Sequence, residues 1–365
     1  MNHRERVIKA LNHEEPDRCP MHISFTPEFA ERLKHELSLN EEQGYNPHGT
    51  KNSYTLERAI DQDVLVTTVG WATSYNKAED NYTDEWGVRW KSAKYSTPYG
   101  TGRYTEVVGN PLAEDSAIDS YTPPDPARDE LYVPGENLLR NFKDEYFIIG
   151  AVVTTIFESA WALRGLDRLL MDFALNPELA ERILDIPYQY HLYAAKRLTE
   201  MGVDMIRLGD DVGGQNGMLI SPEHWRQFLK PKMARLISEI KAINPDVKVG
   251  YHSDGNIYPI IPELIEIGLD VLNPIQPACM DPEEVKKRFG DKLCYWGTID
   301  EQYTLPFGKP EDVREEVIKR LTTIGRGGGL LIGPTHHVQL DTPMENFLAL
   351  IETVKDTSYK MLTVG

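Results

Sequence analysis

Near the middle of the chain, residues 247–256 (VKVGYHSDGN) set an imidazole and a carboxylate two positions apart, at His252 and Asp254. Alternate side chains of an extended strand share a face, so the two fall on one side where the apolar run ends. Such a pair can bind a metal, pass a proton or grip a polar substrate. The plainer account is a turn in which Asp254 and Asn256 cap the next helix, because Asp-Gly is a common turn signal. Repetition argues against the plainer account. Residues 146–153 run into Thr154, Thr155 and Glu158, and 205–209 into Asp210 and Asp211. Residues 271–274 run into Gln276, 293–297 into Asp300, and 330–333 into His336 and His337.

Each of these residues also has a structural use. Glu158 serves as a general acid or a metal ligand, or as the acidic first turn of a helix. Asp210 and Asp211 act as proton donors or supporting acids, or cap a helix. Gln276 and Gln215 orient a substrate or make surface hydrogen bonds. Of the adjacent pair His336 and His337 at a strand end one faces away from the mouth, and His337 is taken as structural. Trp161, Trp225 and Tyr303 are read as packing residues.

The elements that must carry these groups follow from periodicity. Residues 4–11 have helical spacing, 20–25 read as a short strand, and Thr26 with Pro27 opens a helix. Residues 63–69 (DVLVTTV) are apolar and β-branched, the mark of a strand covered on both faces. From 75 to 108 the texture turns aromatic, charged and Gly-interrupted, which predicts β-hairpins inserted between larger elements, and 110–134 reads as a surface connection. From residue 146 onward, strand, polar end and helix repeat. With 20–25 and 63–69 the count reaches eight strands, the pattern of an α/β (β/α)8 TIM barrel formed by residues 1–365 as one domain. An open doubly wound sheet fits alternation equally well, but no GxGxxG follows a first strand. The run Gly325 to Gly329 (GRGGG) precedes a strand instead of opening a helix.

Composition bounds the function. With 57 acidic and 39 basic residues among 365, the formal charge is −18 and no block of Lys and Arg stands out, which argues against tight nucleic-acid binding. Cys19, Cys279 and Cys294 lie far apart with no CxxC, so neither a disulfide framework nor a cysteine-rich zinc site is indicated. The charged N-terminus and the lack of a long apolar run predict a cytoplasmic protein with no export signal and no membrane span.

Five segments together resemble the uroporphyrinogen decarboxylase superfamily over nearly the whole chain: DEWGVRW at 84–90, LISPEHWRQFLKP at 219–231, HSDGN at 252–256, WGTID at 296–300 and GPTHHVQLDTPMEN at 333–346. The resemblance implies a (β/α)8 barrel with its active site at the carboxyl ends of the strands, in agreement with the strand count. It offers two chemistries. True uroporphyrinogen decarboxylases grip their substrate's carboxylates through an arginine-rich segment near the N-terminus and use no metal. The corresponding residues 19–29 (CPMHISFTPEF) contain no arginine. The other branch resembles methylcobamide-dependent methyltransferases, which hold zinc through a His-x-Cys pair and a later cysteine. Position by position, those ligands fall on His252, Asp254 and His336. The resemblance thus implies a His2Asp zinc site with an open fourth position, a corrinoid (cobalamin) protein as partner, and a small methoxy- or methylamine-type substrate. Replacement of both sulfurs favours activation of oxygen or nitrogen over sulfur. Glu158, Asp210, Asp211 and Gln276 are the expected catalytic residues around that metal.

Overall fold

The computed structural model describes residues 1–40, 44–48, 52–77 and 79–362. Strand formation follows β-branched, apolar sequence. In β1 (Val64–Thr68) four of five side chains are β-branched. An antiparallel sheet follows, β2 (Asn81–Thr83), β3 (Arg89–Thr97) and β4 (Gly100–Gly109). The chain then resumes the parallel set with β5 (Phe147–Ala151) and β6 (Met205–Gly209), and makes a small ribbon of β7 (Gly213–Gly214) and β8 (Gly217–Met218). It ends with β9 (Lys248–His252), β10 (Val271–Asn273), β11 (Cys294–Trp296) and β12 (Leu330–Leu331).

Seven strands form one parallel sheet in the order β1, β5, β6, β9, β10, β11, β12, curled as in a TIM barrel. Residues 20–25, expected as the eighth strand, make only isolated bridges, at Met21 to Ile332 and Phe25 to Val338. They nevertheless join the sheet's two edges. On one side Ile332 N donates to Pro20 O and His22 N to Ile332 O. On the other, side chains stand in for backbone: Met21 N donates to the Asp63 carboxylate at 2.7 Å and Ile23 N to Gln62 Oε1 at 3.1 Å. Pro20 has no N–H to give, and only Asp63 N to Met21 O completes a main-chain bond toward β1. The ring therefore closes without a regular strand. Close approach demands glycine at Gly333, where a Cβ would meet the His22 carbonyl oxygen.

Helices cover the outside. Thr26 caps Pro27–Glu36, Ser221 caps the helix after the ribbon, and Asp281 caps Pro282–Phe289. The long helix Pro177–Met201 contains Pro187. No helix among the described residues is long and apolar enough to cross a membrane. The β2–β4 sheet has three strands where hairpins were expected. Trp90 anchors it, buried against Trp71 and donating from its indole N–H to Asp84 at 2.8 Å. Arg103 N bonds Glu28 at 2.9 Å, which fixes the β3–β4 arm across the carboxyl end of the barrel.

Candidate functional site

At the carboxyl ends of the strands a cavity of about 280 Å³ lies between the barrel and the β3–β4 arm. Tyr95 and Tyr104 of the arm and Tyr75 give it aromatic walls, while its floor carries Glu158, Arg207, Asp211, His252, His336 and His337. Ligand atoms of His252, Asp254 and His336 lie within 4.8 Å of one another. The imidazoles of His252 and His336 are 6.1 Å apart between centroids. Residues 84 positions apart in sequence are thus brought together by β9 and the loop after β12.

The orientation of His252 is set from behind. Its Nδ1 lies 2.7 Å from Asn273 Oδ1, and Asn273 Nδ2 donates to the Trp296 carbonyl at 2.8 Å. The second bond fixes which way the amide points, so Nδ1 carries the proton and Nε2 keeps its lone pair. Nε2 faces Asp211 Oδ1 at 3.7 Å and Asp254 Oδ1 at 3.9 Å. Asp254 Oδ1 is buried and has no hydrogen-bond partner. A buried carboxylate oxygen left without a donor is costly, unless a cation takes its place. The donor set is thus two nitrogens and one oxygen at closing distance, with one oxygen unspent, and it suits zinc.

Three further acids stand behind Asp254. Asp211 accepts the Asp254 N–H at 2.8 Å, and Glu158 Oε2 accepts the Asp211 N–H at 3.0 Å. Burial, then the Asp254 charge, raises the Asp211 pKa to about 6. Burial, then Asp211 and Asp210, holds Glu158 well above the usual carboxylate range. Asp210 is turned elsewhere: its carboxylate accepts Ile156 N at 2.9 Å and Glu158 N at 3.0 Å, capping the helix Phe157–Arg164. Gln276 likewise serves the backbone, its Oε1 accepting the Gly255 N–H and holding the turn after Asp254.

His337, expected to face away, lines the same cavity as His336. β12 ends at Leu331, so strand alternation does not extend to the pair. His337 Nδ1 lies 2.6 Å from Ser24 Oγ and its Nε2 is 3.4 Å from His48 Nε2. Tyr303, expected as packing, is 63% exposed on the rim, whereas Trp225 is fully buried. Gln215 sits on the rim as well, accepting from Gln302 at 3.3 Å.

Sequence reasoning missed Arg207, Asn273, His22 and Glu301. Arg207 projects from β6 into the barrel, with Nη2 3.2 Å from Asn273 Oδ1 and 2.9 Å from His252 Nδ1, and its guanidinium 4.9 Å from the Trp296 ring. Because Nδ1 carries a proton, Asn273 Oδ1 accepts from both neighbours. A cation inside an otherwise apolar run, MIRLG, was the available signal. Glu301 accepts the His336 N–H at 2.8 Å, which fixes the loop that bears this imidazole.

The sequence profile of the uroporphyrinogen decarboxylase (URO-D) family matches residues 95–357. The chain belongs to that family. Its relatives within and around the family carry two kinds of name. A uroporphyrinogen decarboxylase from Picosynechococcus sp. is 23% identical over 264 residues, covering 68% of this chain and 71% of that protein. A methylated-thiol–coenzyme M methyltransferase from Methanosarcina mazei is 24% identical over 226 residues, covering 60% and 56%. Among solved structures, a methyltransferase from Methanosarcina mazei superposes over 98% of this chain and 99% of its own with a TM-score of 0.71. At 18% identity that likeness is one of fold.

Proposed function

We propose that this URO-D family member is a zinc-dependent methyltransferase, moving a methyl group between a small methoxy- or methylamine-type compound and a corrinoid carried on a partner protein. The observation that carries the reading is the convergence of His252, Asp254 and His336 within 4.8 Å, with Asp254 Oδ1 buried and unpartnered. Bound there, zinc would polarise the heteroatom bearing the methyl group, and the corrinoid cobalt would take the methyl group or deliver it.

The chain's own residues do the rest. Asn273 holds the His252 tautomer that leaves Nε2 free for a ligand role. Asp211 and Glu158 place the Asp254 backbone. Burial and the neighbouring acids Asp211 and Asp210 favour the protonated form of Glu158, and because Oε2 is occupied by the Asp211 N–H the proton belongs on Oε1. From there it can be given to the oxygen or nitrogen that loses the methyl group.

Protein purified without chelator should carry about one equivalent of zinc, and His252→Ala should carry none. A second reading, metal-free decarboxylation of a carboxylated pyrrole, is favoured by the relatives named uroporphyrinogen decarboxylase. Against it, Arg18, the arginine nearest the arginine-free stretch, is committed to Asp63 at the opposite end of the strands. Carbon dioxide released from uroporphyrinogen by zinc-free protein would put this second reading first.

A further inference from the structure

Arg207 is the one charged side chain of β6, and it points where a barrel strand ordinarily supplies an apolar one. Its bonds use Nη2 alone. Nε is buried and has no partner, and among the described residues no carboxylate lies within ion-pairing distance of the guanidinium. A cation whose Nε is buried without a partner is expensive to keep and asks for an anion.

There is room for one. A hollow of about 20 Å³ lies against Arg207, His22, Ser24 and His336, enough for a water or one oxygen of a larger molecule. Arg207 also lines the 280 Å³ mouth cavity, so a group entering from the mouth can reach it.

We infer that the mouth accepts a small organic carboxylate, with the carboxylate group held by Arg207 beside the metal ligands. This rests on the methyl-transfer reading of the same site and narrows it: the methyl-bearing compound is an acid, not a neutral ether or a methylammonium ion. The two poles of the cavity then have separate tasks. Arg207 holds the anion by charge-assisted hydrogen bonds, and the Asp254 side faces the heteroatom.

The test compares acids with neutral counterparts of similar shape: methoxyacetate with 2-methoxyethanol, and 3-methoxybenzoate with 3-methoxybenzyl alcohol. Each is titrated calorimetrically into the full chain, zinc-loaded and metal-free. The acid of each pair should bind about tenfold or more tightly than the alcohol. Arg207→Gln should erase the difference and Arg207→Lys should keep part of it. Acid and alcohol binding alike in the wild-type protein overturns the inference, with no variant needed. So does an acid preference that survives in Arg207→Gln, as direct ligation of zinc by the carboxylate would give. If the protein takes up no zinc yet shows an acid preference that depends on Arg207, the methyl-transfer reading falls and the anion site stands. If zinc binds and no preference appears, the reverse holds.

Discussion

At the amino end of the strands, Asp63 is buried completely and every oxygen is used. Arg6 Nη1 lies at 2.6 Å, Arg18 Nη1 at 2.7 Å, the Met21 N–H at 2.7 Å and His3 Nδ1 at 2.9 Å. At the carboxyl end, the Asp254 side chain is 28% exposed, yet its Oδ1 is buried and idle, and Arg207 has an idle Nε. Burial alone pushes a carboxyl group's pKa up. At Asp63, His3, Arg18 and Arg6 overcome that push and bring it below the ordinary value, while at Asp254 burial wins and raises it to about 6. Two clusters of similar residue types thus do opposite things. The first is saturated and holds the barrel closed, and the second is left unsaturated so that something else can complete it.

Removing a carboxylate from each cluster separates them most sharply. Asp63→Ala strands two buried arginines, so equilibrium urea unfolding should show a loss of about 3 to 5 kcal/mol. Asp254→Ala should leave the stability of the metal-free protein unchanged or slightly raised, because the lost oxygen had no partner. Its zinc affinity, by competition with a chromophoric chelator, should fall by about 100-fold, near the upper end for disturbing such a centre. A loss of stability in Asp254→Ala as large as that in Asp63→Ala would erase the distinction.

Asn273→Ala releases the tautomer of His252 without touching a ligand, and zinc affinity should drop about tenfold. Acid titration gives the next contrast. The depressed pKa of Asp63 contributes stability that is present above its unfolded value and lost as the pH falls below about 4. Asp210 is raised to about 7 by burial, so the folded state binds the extra proton, and stability falls as the pH rises from about 4 to about 7. Asp210→Asn, which can still accept from Ile156 and Glu158, should flatten that slope in urea midpoints measured across the range. Smallest is Gln276→Ala, which removes one acceptor from the Gly255 N–H and should lower stability by about 1 kcal/mol, with zinc still bound.

The barrel was legible because its strands are short apolar runs with polar ends. β6 spans residues 205–209 as read, and β9 ends at His252, where the apolar run was read to end. Residues 20–25 were misread because their pattern suits a strand while their partners are side chains of Gln62 and Asp63, a substitution no periodicity reports. The meeting of His252, Asp254 and His336 could be read from strand-end chemistry together with the family resemblance. Asp210 and Asp211 carry the same chemistry at adjacent positions, and only the fold decides that one turns to a helix start and the other to the mouth. Arg207 and Asn273 escaped notice because each lies within a run counted as core, where the outlying polar residue was itself the clue.

The seam between β12 and β1 has one more effect. Because Gln62 and Asp63 fasten it where main-chain pairing is missing, the cylinder's circumference is set partly at its floor. Ser24, a few residues further along the same segment, braces His337 at the rim. Loosening the floor should therefore let the rim spread, and amide exchange at Met21 and Ile23 would register the slackening before any stave of the sheet lets go.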